Sequence, residues 1–329
     1  MKRDKLRIGV ITAALAMMIA GGVLTWQQDA RNGKADQAKQ GETAHRYVLG
    51  LYHIMDELTT RFPEILFESC SSGGNRFDLG ILSYFPQIWA SDNTDALCRT
   101  GIQNSYSYGY PLSVFTAHVS SCPNHQTLRI TPLETRFQVA SFGVLGYECN
   151  LKDLSGSDLN AIREQIALYK KWRGVFQFGS FYRGVENMDS DSETLSWTCV
   201  STDGRRAVGL FFRRLTVPNQ SHDWYRPVGL LPDVKYHFYG RNIKYNLKDF
   251  GDLVNTVSPV HIKQGSALQE ILSRFVNMDG EKEELTAYGD TLMRAGIALK
   301  PAFAGTGYNS DTRLFPDFSS RIYFMEAVE

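Results

Sequence analysis

The sequence lacks an excess of either charge: Lys plus Arg number 35 and Asp plus Glu number 35, so the formal net charge is zero. A chain that binds nucleic acid electrostatically carries a basic surplus, and this one has none. Paired thiols are missing as well. Cys70, Cys98, Cys122, Cys149 and Cys199 are odd in number, widely spaced and form no CxxC pair. That argues against a zinc site and against a disulfide framework, which belongs mainly to small secreted domains. Long apolar runs are scarce. Only one approaches the length of a bilayer crossing, which excludes a polytopic membrane protein. No internal repeat stands out. What remains is ordinary core material in 329 residues, 43% hydrophobic and 12% aromatic. That is too apolar for a disordered chain, and the length suits about two domains. A neutral, aromatic-rich composition suits an uncharged ligand such as a sugar, as it suits many ordinary globular proteins.

The single long apolar run is N-terminal. Lys2, Arg3, Lys5 and Arg7 precede residues 8–26, which carry no charge. A basic flank before an apolar stretch is the pattern of a signal peptide or membrane anchor. No small-x-small cleavage site follows, which favours an anchor left uncleaved. Its basic flank would stay cytoplasmic and the remainder would be exported. The alternatives are a buried N-terminal apolar helix or a segment joined from elsewhere, and then the protein stays in the cytoplasm. Residues 27–40 are polar and read as a linker.

Beyond the linker, Tyr47, Val48, Leu51, Ile54, Met55 and Leu58 follow helical spacing over residues 42–62, limited by Pro63. Residues 65–70 and 86–90 are short apolar runs that read as buried strands. Each is followed by a polar loop, residues 71–76 and 91–95 respectively. A helix follows to about residue 105. Residues 112–119 are strand-like, and residues 139–145 form another apolar run. Ser157 is a plausible N-cap for a helix over residues 159–172, where Ile162, Ile166 and Tyr169 keep helical spacing. Strand-loop-helix units with polar strand ends are the mark of an α/β barrel, whose functional groups sit on the loops after the strands. Residues 40–175 are too few for a complete barrel, which takes about 250 residues. After Phe176 the texture becomes all-β: short alternating runs such as residues 194–200 and 207–212, separated by Asp203-Gly204, Pro218-Asn219 and Tyr239-Gly240. Residues 263–278 add one helix, and residues 321–325 read as a closing strand. The pattern fits a sandwich.

Asp92 and Asp95, on a loop after an apolar strand, are the most suggestive chemical feature. A carboxylic acid there could protonate a leaving oxygen, and a carboxylate could stabilise a cationic transition state. Acidic loops are also ordinary helix caps, and Ser91 or Asp92 could cap the helix that follows. Cys70 to Gly74 places a thiol and flexible backbone at a strand end. A nucleophilic cysteine would need His118 or His125 as its base, and a buried structural cysteine is the commoner outcome. The glycines either admit a ligand close to the backbone or form a turn. His118 and His125 have no matched partner for a metal.

Taken together, several segments resemble the family-36 glycoside hydrolases, chiefly bacterial α-galactosidases. They are Gln40-Gly41-Glu42 with His45-Arg46-Tyr47; Phe67-Glu68-Ser69-Cys70-Ser71-Ser72-Gly73-Gly74-Asn75-Arg76; Trp89-Ala90-Ser91-Asp92-Asn93-Thr94-Asp95; Ala117-His118-Val119-Ser120 with Pro123-Asn124-His125; and Thr131-Pro132-Leu133-Glu134-Thr135-Arg136. Gln177-Phe178-Gly179-Ser180-Phe181, Gly305-Thr306-Gly307-Tyr308-Asn309 and Asp317-Phe318-Ser319 extend the match towards the C-terminus. The resemblance covers about residues 40–329. It implies the second half of a (β/α)8 TIM barrel over residues 40–175, then an antiparallel β-sandwich domain over residues 176–329, with residues 1–39 as leader and linker. It implies retaining hydrolysis of terminal α-galactosides in oligosaccharides, without a cofactor or metal. Asp92 matches the acid/base, and Cys70 and Gly73 match positions lining the galactose subsite. Asp95, Asn75 and Arg76 match its supporting shell. Homo-oligomers are common in such a family. The family's nucleophile, an aspartate directly after Lys-Trp, has no counterpart: Asp29 stands three residues after Trp26 and no Lys precedes that Trp. The first half of the barrel and the large N-terminal β-domain are also missing. A truncated or fused remnant that at most binds sugar weakly is therefore the competing expectation.

Overall fold

The computed structural model describes residues 39–70, 77–184, 193–217, 222–256, 258–302 and 313–328. The apolar run at residues 8–26 and Asp29 lie outside them. Among the described residues, no helix is long and apolar enough to cross a membrane. The chain divides into two units, residues 1–66 and 67–329. The first unit contributes α1 (Gln40–Arg61), a helix where the apolar spacing predicts one. The ion pairs Glu42–Arg46 and Glu57–Arg61, each at 2.6 Å, join successive turns of it and contribute a few tenths of a kcal/mol apiece. The helix stops two residues before Pro63, whose ring disfavours helical backbone at Phe62.

In the second unit β1 (Glu68–Cys70), β2 (Gln87–Trp89), β3 (Phe115–Ser120) and β4 (Val144–Glu148) form one sheet in that order, every pair parallel. Parallel neighbours need a crossover, and helices supply most of it: α2 (Leu79–Leu82), α3 (Ala96–Tyr106) and α4 (Leu133–Ser141). A long α5 (Gly156–Phe178) follows β4. Register fixes the faces. Cys70, Trp89, Thr116 and Val144 lie in one row across the four strands. Two residues further on, His118 lies beside Gly146. The intervening residues Ser69, Ile88, Phe115, Ala117 and Val119 occupy the opposite face and are all buried. Two expectations are corrected here. Residues 112–114 form a 3-10 turn that feeds β3 rather than part of the strand. Residues 139–145 are two elements, the end of α4 and the start of β4.

The helix after β4 starts earlier than expected, and its cap is Ser155 rather than Ser157. The Ser155 hydroxyl accepts the Asp158 N–H and the Asp158 carboxylate accepts the Ser155 N–H, a reciprocal capping box. The other end of the helix runs to Phe178, past the point where the β-texture begins.

The C-terminal part is a six-stranded antiparallel sheet, built from β5 (Ser180–Arg183), β6 (Thr194–Val200), β7 (Arg206–Arg213), β9 (Lys235–Gly240), β12 (Glu284–Tyr288) and β14 (Ser319–Ala327). Its order is β12-β9-β14-β7-β6-β5. The expected closing strand is thus central, bonded to β7 on one side and β9 on the other. Two small ladders accompany it: β8 (Trp224–Tyr225) with β13 (Ile297–Ala298), and β10 (Lys244–Asn246) with β11 (Asn277–Asp279). Two short helices, α6 (Ala267–Leu272) and α7 (Gly289–Arg294), complete the fold. The sheet's two faces bury different partners. Trp172 of α5 packs on Phe324, ring centroids 4.8 Å apart. Tyr225 of β8 lies against Phe238 and Tyr323 in the core cluster that also holds Ile297 and Leu292. Gly209 of β7 makes room for that layer, since a Cβ there would stand 1.9 Å from the Tyr225 hydroxyl.

Candidate active site

The site is built on the C-terminal ends of the parallel strands, where loops carry groups that need not pack. After β2 the chain turns through Ser91 to Asp95 by local side-chain bonds. The Ser91 hydroxyl accepts the Asn93 N–H at 3.2 Å, and the Asn93 side-chain carbonyl accepts the Asp95 N–H at 3.1 Å. Asp95 then accepts the Cys98 N–H at 3.0 Å and is the N-cap of α3. The cap is therefore neither Ser91 nor Asp92. Asp95 is buried, and its carboxylate also takes the Thr127 hydroxyl at 2.8 Å and the Arg129 guanidinium at 2.5 Å. Burial pushes the Asp95 carboxyl up, but the Cys98 N–H, Thr127 and Arg129 outweigh it and hold the group below its ordinary value.

With Asp95 anchored beneath, Asp92 is left exposed at the top of the loop. One oxygen, Oδ1, accepts the indole N–H of Trp89 at 2.9 Å. Two groups lie close to the Trp89 ring. The buried Arg99 guanidinium lies 5.1 Å from its centroid, and the His118 ring lies 4.5 Å away. Arg99 donates to the backbone carbonyls of Ser91 (3.3 Å) and Thr116 (2.5 Å). His118 Nδ1 stands 3.1 Å from Glu148 at the end of β4. Gly146 allows that approach, because a Cβ there would meet the His118 ring at 2.5 Å. Below the loop, Asn124 bonds the Thr94 hydroxyl at 3.0 Å and Ser120 bonds the Thr94 carbonyl at 3.2 Å, tying the loops after β2 and β3 together.

Cys70 ends β1 in the same row as Trp89 and is exposed. No hydrogen bond joins it to His118, which is engaged by Glu148, or to His125. Gly73, Asn75 and Arg76 lie outside the described residues. Trp89, Arg99, Arg129 and Glu148 were not foreseen as site residues. Trp89 had a local signal, because it stands at a strand end three residues before Asp92. Arg129 and Glu148 join the site by contacts of long sequence separation, and Arg99 joins it from the helix that follows the loop.

Comparison with known proteins bears on the fold that carries these residues. Residues 25–179 match the Melibiase family model, and residues 194–325 match the glycosyl hydrolase family 36 C-terminal domain. The chain is built like the C-terminal part of a family-36 glycoside hydrolase. It is 45% identical over 205 residues to α-galactosidase AgaA of Geobacillus stearothermophilus, covering 62% of this chain and 28% of that protein. With α-galactosidase Mel36A of Lactobacillus acidophilus it shares 46% over 202 residues, 61% of this chain and 27% of that protein. The crystal structure of the α-galactosidase from Lactobacillus brevis superposes with a TM-score of 0.69 at 35% identity, over 90% of this chain and 33% of that one. An AgaA variant crystallised with raffinose superposes with a TM-score of 0.67 at 36% identity, over the same shares. The chain thus spans about a quarter to a third of the length of these family-36 relatives. Its parallel sheet is a part of their TIM barrel, and the antiparallel sheet is their C-terminal domain.

Proposed function

We propose that the chain carries the acid/base half of a retaining α-galactosidase site, with terminal α-galactosides of oligosaccharides as substrate. The observation that carries this is the placement of Asp92: exposed at the C-terminal end of β2, one oxygen held by Trp89, above a buried and fully engaged Asp95. Asp92 gives its proton to the departing glycosidic oxygen, then takes a proton from the water that releases the sugar. Cys70 and Gly73 line the galactose subsite, and Asp95, Asn75 and Arg76 support it. AgaA variants crystallised with raffinose and with stachyose support the substrate class.

Retaining hydrolysis needs a second carboxylate about 5 Å from the first. Among the described residues Asp95 is spent on Thr127 and Arg129, and Glu148 faces His118. Neither is the nucleophile on this reading, which takes it from another chain or from a segment outside the described residues. On this reading residues 40–175 are the second half of the barrel, residues 176–329 the β-sandwich domain, and residues 8–26 a membrane anchor. The competing reading is a remnant that binds sugar weakly without turnover. Turnover of an aryl α-galactoside by the purified chain, abolished by Asp92→Asn, supports the hydrolase. Galactose binding without turnover supports the remnant, and absence of both overturns the two readings together.

A further inference from the structure

Arg99 is 2% exposed, yet among the described residues no carboxylate pairs with it. Its bonded partners are two backbone carbonyls and the face of Trp89. A buried guanidinium without a counter-ion is costly unless every interaction left to it is favourable. The negative face of an indole is one such interaction. Burial lowers the Arg99 pKa to about 10, which still leaves it charged near neutrality. The same ring donates its N–H to Asp92. A cation over the π-face draws electron density from the ring and makes that N–H a stronger donor.

We propose that Trp89 is the positioning residue of Asp92, and that Arg99 acts on Asp92 through the Trp89 ring rather than by direct contact. This rests on Asp92 being the acid/base. The arrangement suits that task. A guanidinium placed directly on a carboxylate favours its ionised form, which suits a base but opposes an acid. A neutral indole N–H can bond an oxygen of either the carboxylate or the carboxylic acid, so it holds the group through both halves of the cycle. With Oδ1 held, Oδ2 is the oxygen turned to the substrate. The His118 ring, packed 4.5 Å from the Trp89 ring and held by Glu148, restrains the indole from rotating away.

The test reads the Trp89 indole N–H by nuclear magnetic resonance in the full chain, assigned through its contacts to the His118 ring. Asp92→Ala removes an exposed side chain and leaves the Trp89 packing in place. The Trp89 indole signal is expected to shift, while those of Trp172, Trp197 and Trp224 hold. In Arg99→Met it is expected to shift as in a weaker donor. A Trp89 signal indifferent to Asp92→Ala overturns the proposal whether or not the chain is active. A responsive signal in a chain without turnover upholds the coupling and removes the hydrolase reading. Where the chain turns over, Trp89→Phe keeps a ring but not the donor. It is expected to lower kcat/KM for alkyl galactosides, whose first step needs the acid, by up to about 10²-fold, and to spare kcat/KM for dinitrophenyl galactosides, whose first step does not. Equal loss on both substrates overturns the positioning role.

Discussion

Replacing Asp95 by Ala tests the buried carboxylate that shapes the loop and leaves the exposed Asp92 in place. The side chain has no exposed surface and makes three bonds: to the Cys98 N–H, the Thr127 hydroxyl and Arg129. Losing an aspartate N-cap costs about 1 kcal/mol. A neutral hydrogen bond contributes about 1 kcal/mol and one to a charged group about 1.5–3 kcal/mol, more when the partner is left buried. Arg129 keeps about a quarter of its side chain exposed, so water recovers part of its loss. Together these put Asp95→Ala at about 4 kcal/mol of destabilisation by urea unfolding. Asp95→Asn keeps a competent cap and loses the charge, so about half of that is expected. The pH dependence has a definite sign. Because the folded-state pKa of Asp95 is lowered, its contribution is complete above the unfolded value near 4 and fades as pH falls through the lower, folded one. The gap between wild type and Asp95→Asn should therefore be widest near neutrality and shrink below about pH 4. A loss under about 1 kcal/mol for Asp95→Ala, or a gap that widens on acidification, would refute the reasoning.

Three further outcomes follow from single contacts. Asp223 lies between the buried Arg213 and Arg313 in the C-terminal part; Asp223→Asn removes the carboxylate that the two buried guanidinium groups share and should cost about 3–5 kcal/mol in denaturant unfolding. Ser155→Ala removes the capping box of α5 and should cost about 1 kcal/mol in the same measurement, with Ser157→Ala close to neutral. Gly209→Ala drives a methyl into the Tyr225 hydroxyl, which bonds Thr198 and the Trp197 carbonyl; a loss of about 1–3 kcal/mol is expected, partly relieved by adding Tyr225→Phe.

Helices with one wet face were legible from the chain. The apolar spacing of α1 and the middle of α5 survives because solvent selects polar residues on the far side. Helix α4 has no such side: Thr135, Phe137, Gln138, Val139, Ala140 and Ser141 are all buried, so its apolar end ran into the strand after it and the two read as one. The cap of α5 was misplaced by two residues because Ser155 and Ser157 both precede it, and only the box with Asp158 tells them apart. At the site, the Asp92 loop carried a local signature. The partners that orient it did not: Thr127 and Arg129 reach Asp95 across more than thirty residues, and the Arg99–Trp89–His118 stack exists only once β2 and β3 are paired.

The C-terminal sheet does more than close the chain, because it holds the helix on which the Asp92 loop rests. Asp95 fixes the start of α3. Near its end, Asn104 accepts the Trp197 indole N–H at 3.3 Å, and Ser107 just beyond accepts Arg183 at 2.7 Å; both donors belong to the antiparallel sheet. Helix α4 is held the same way. Ser320 of β14 bonds Thr135 at 3.0 Å and Gln138 at 2.7 Å, and Arg241 spans both oxygens of Glu134 at 2.7 and 2.8 Å. An apolar interface alone would tolerate sliding of a helix by part of a turn, since its contacts are non-directional. These bonds are directional, and several are buried where leaving one unmade costs the most. A helix pinned at both ends sets the height and angle of the loop before it. The geometry of Asp92 is therefore fixed in part by strands about ninety residues and more away in sequence, and the parallel and antiparallel sheets accordingly fall within one compact unit, residues 67–329.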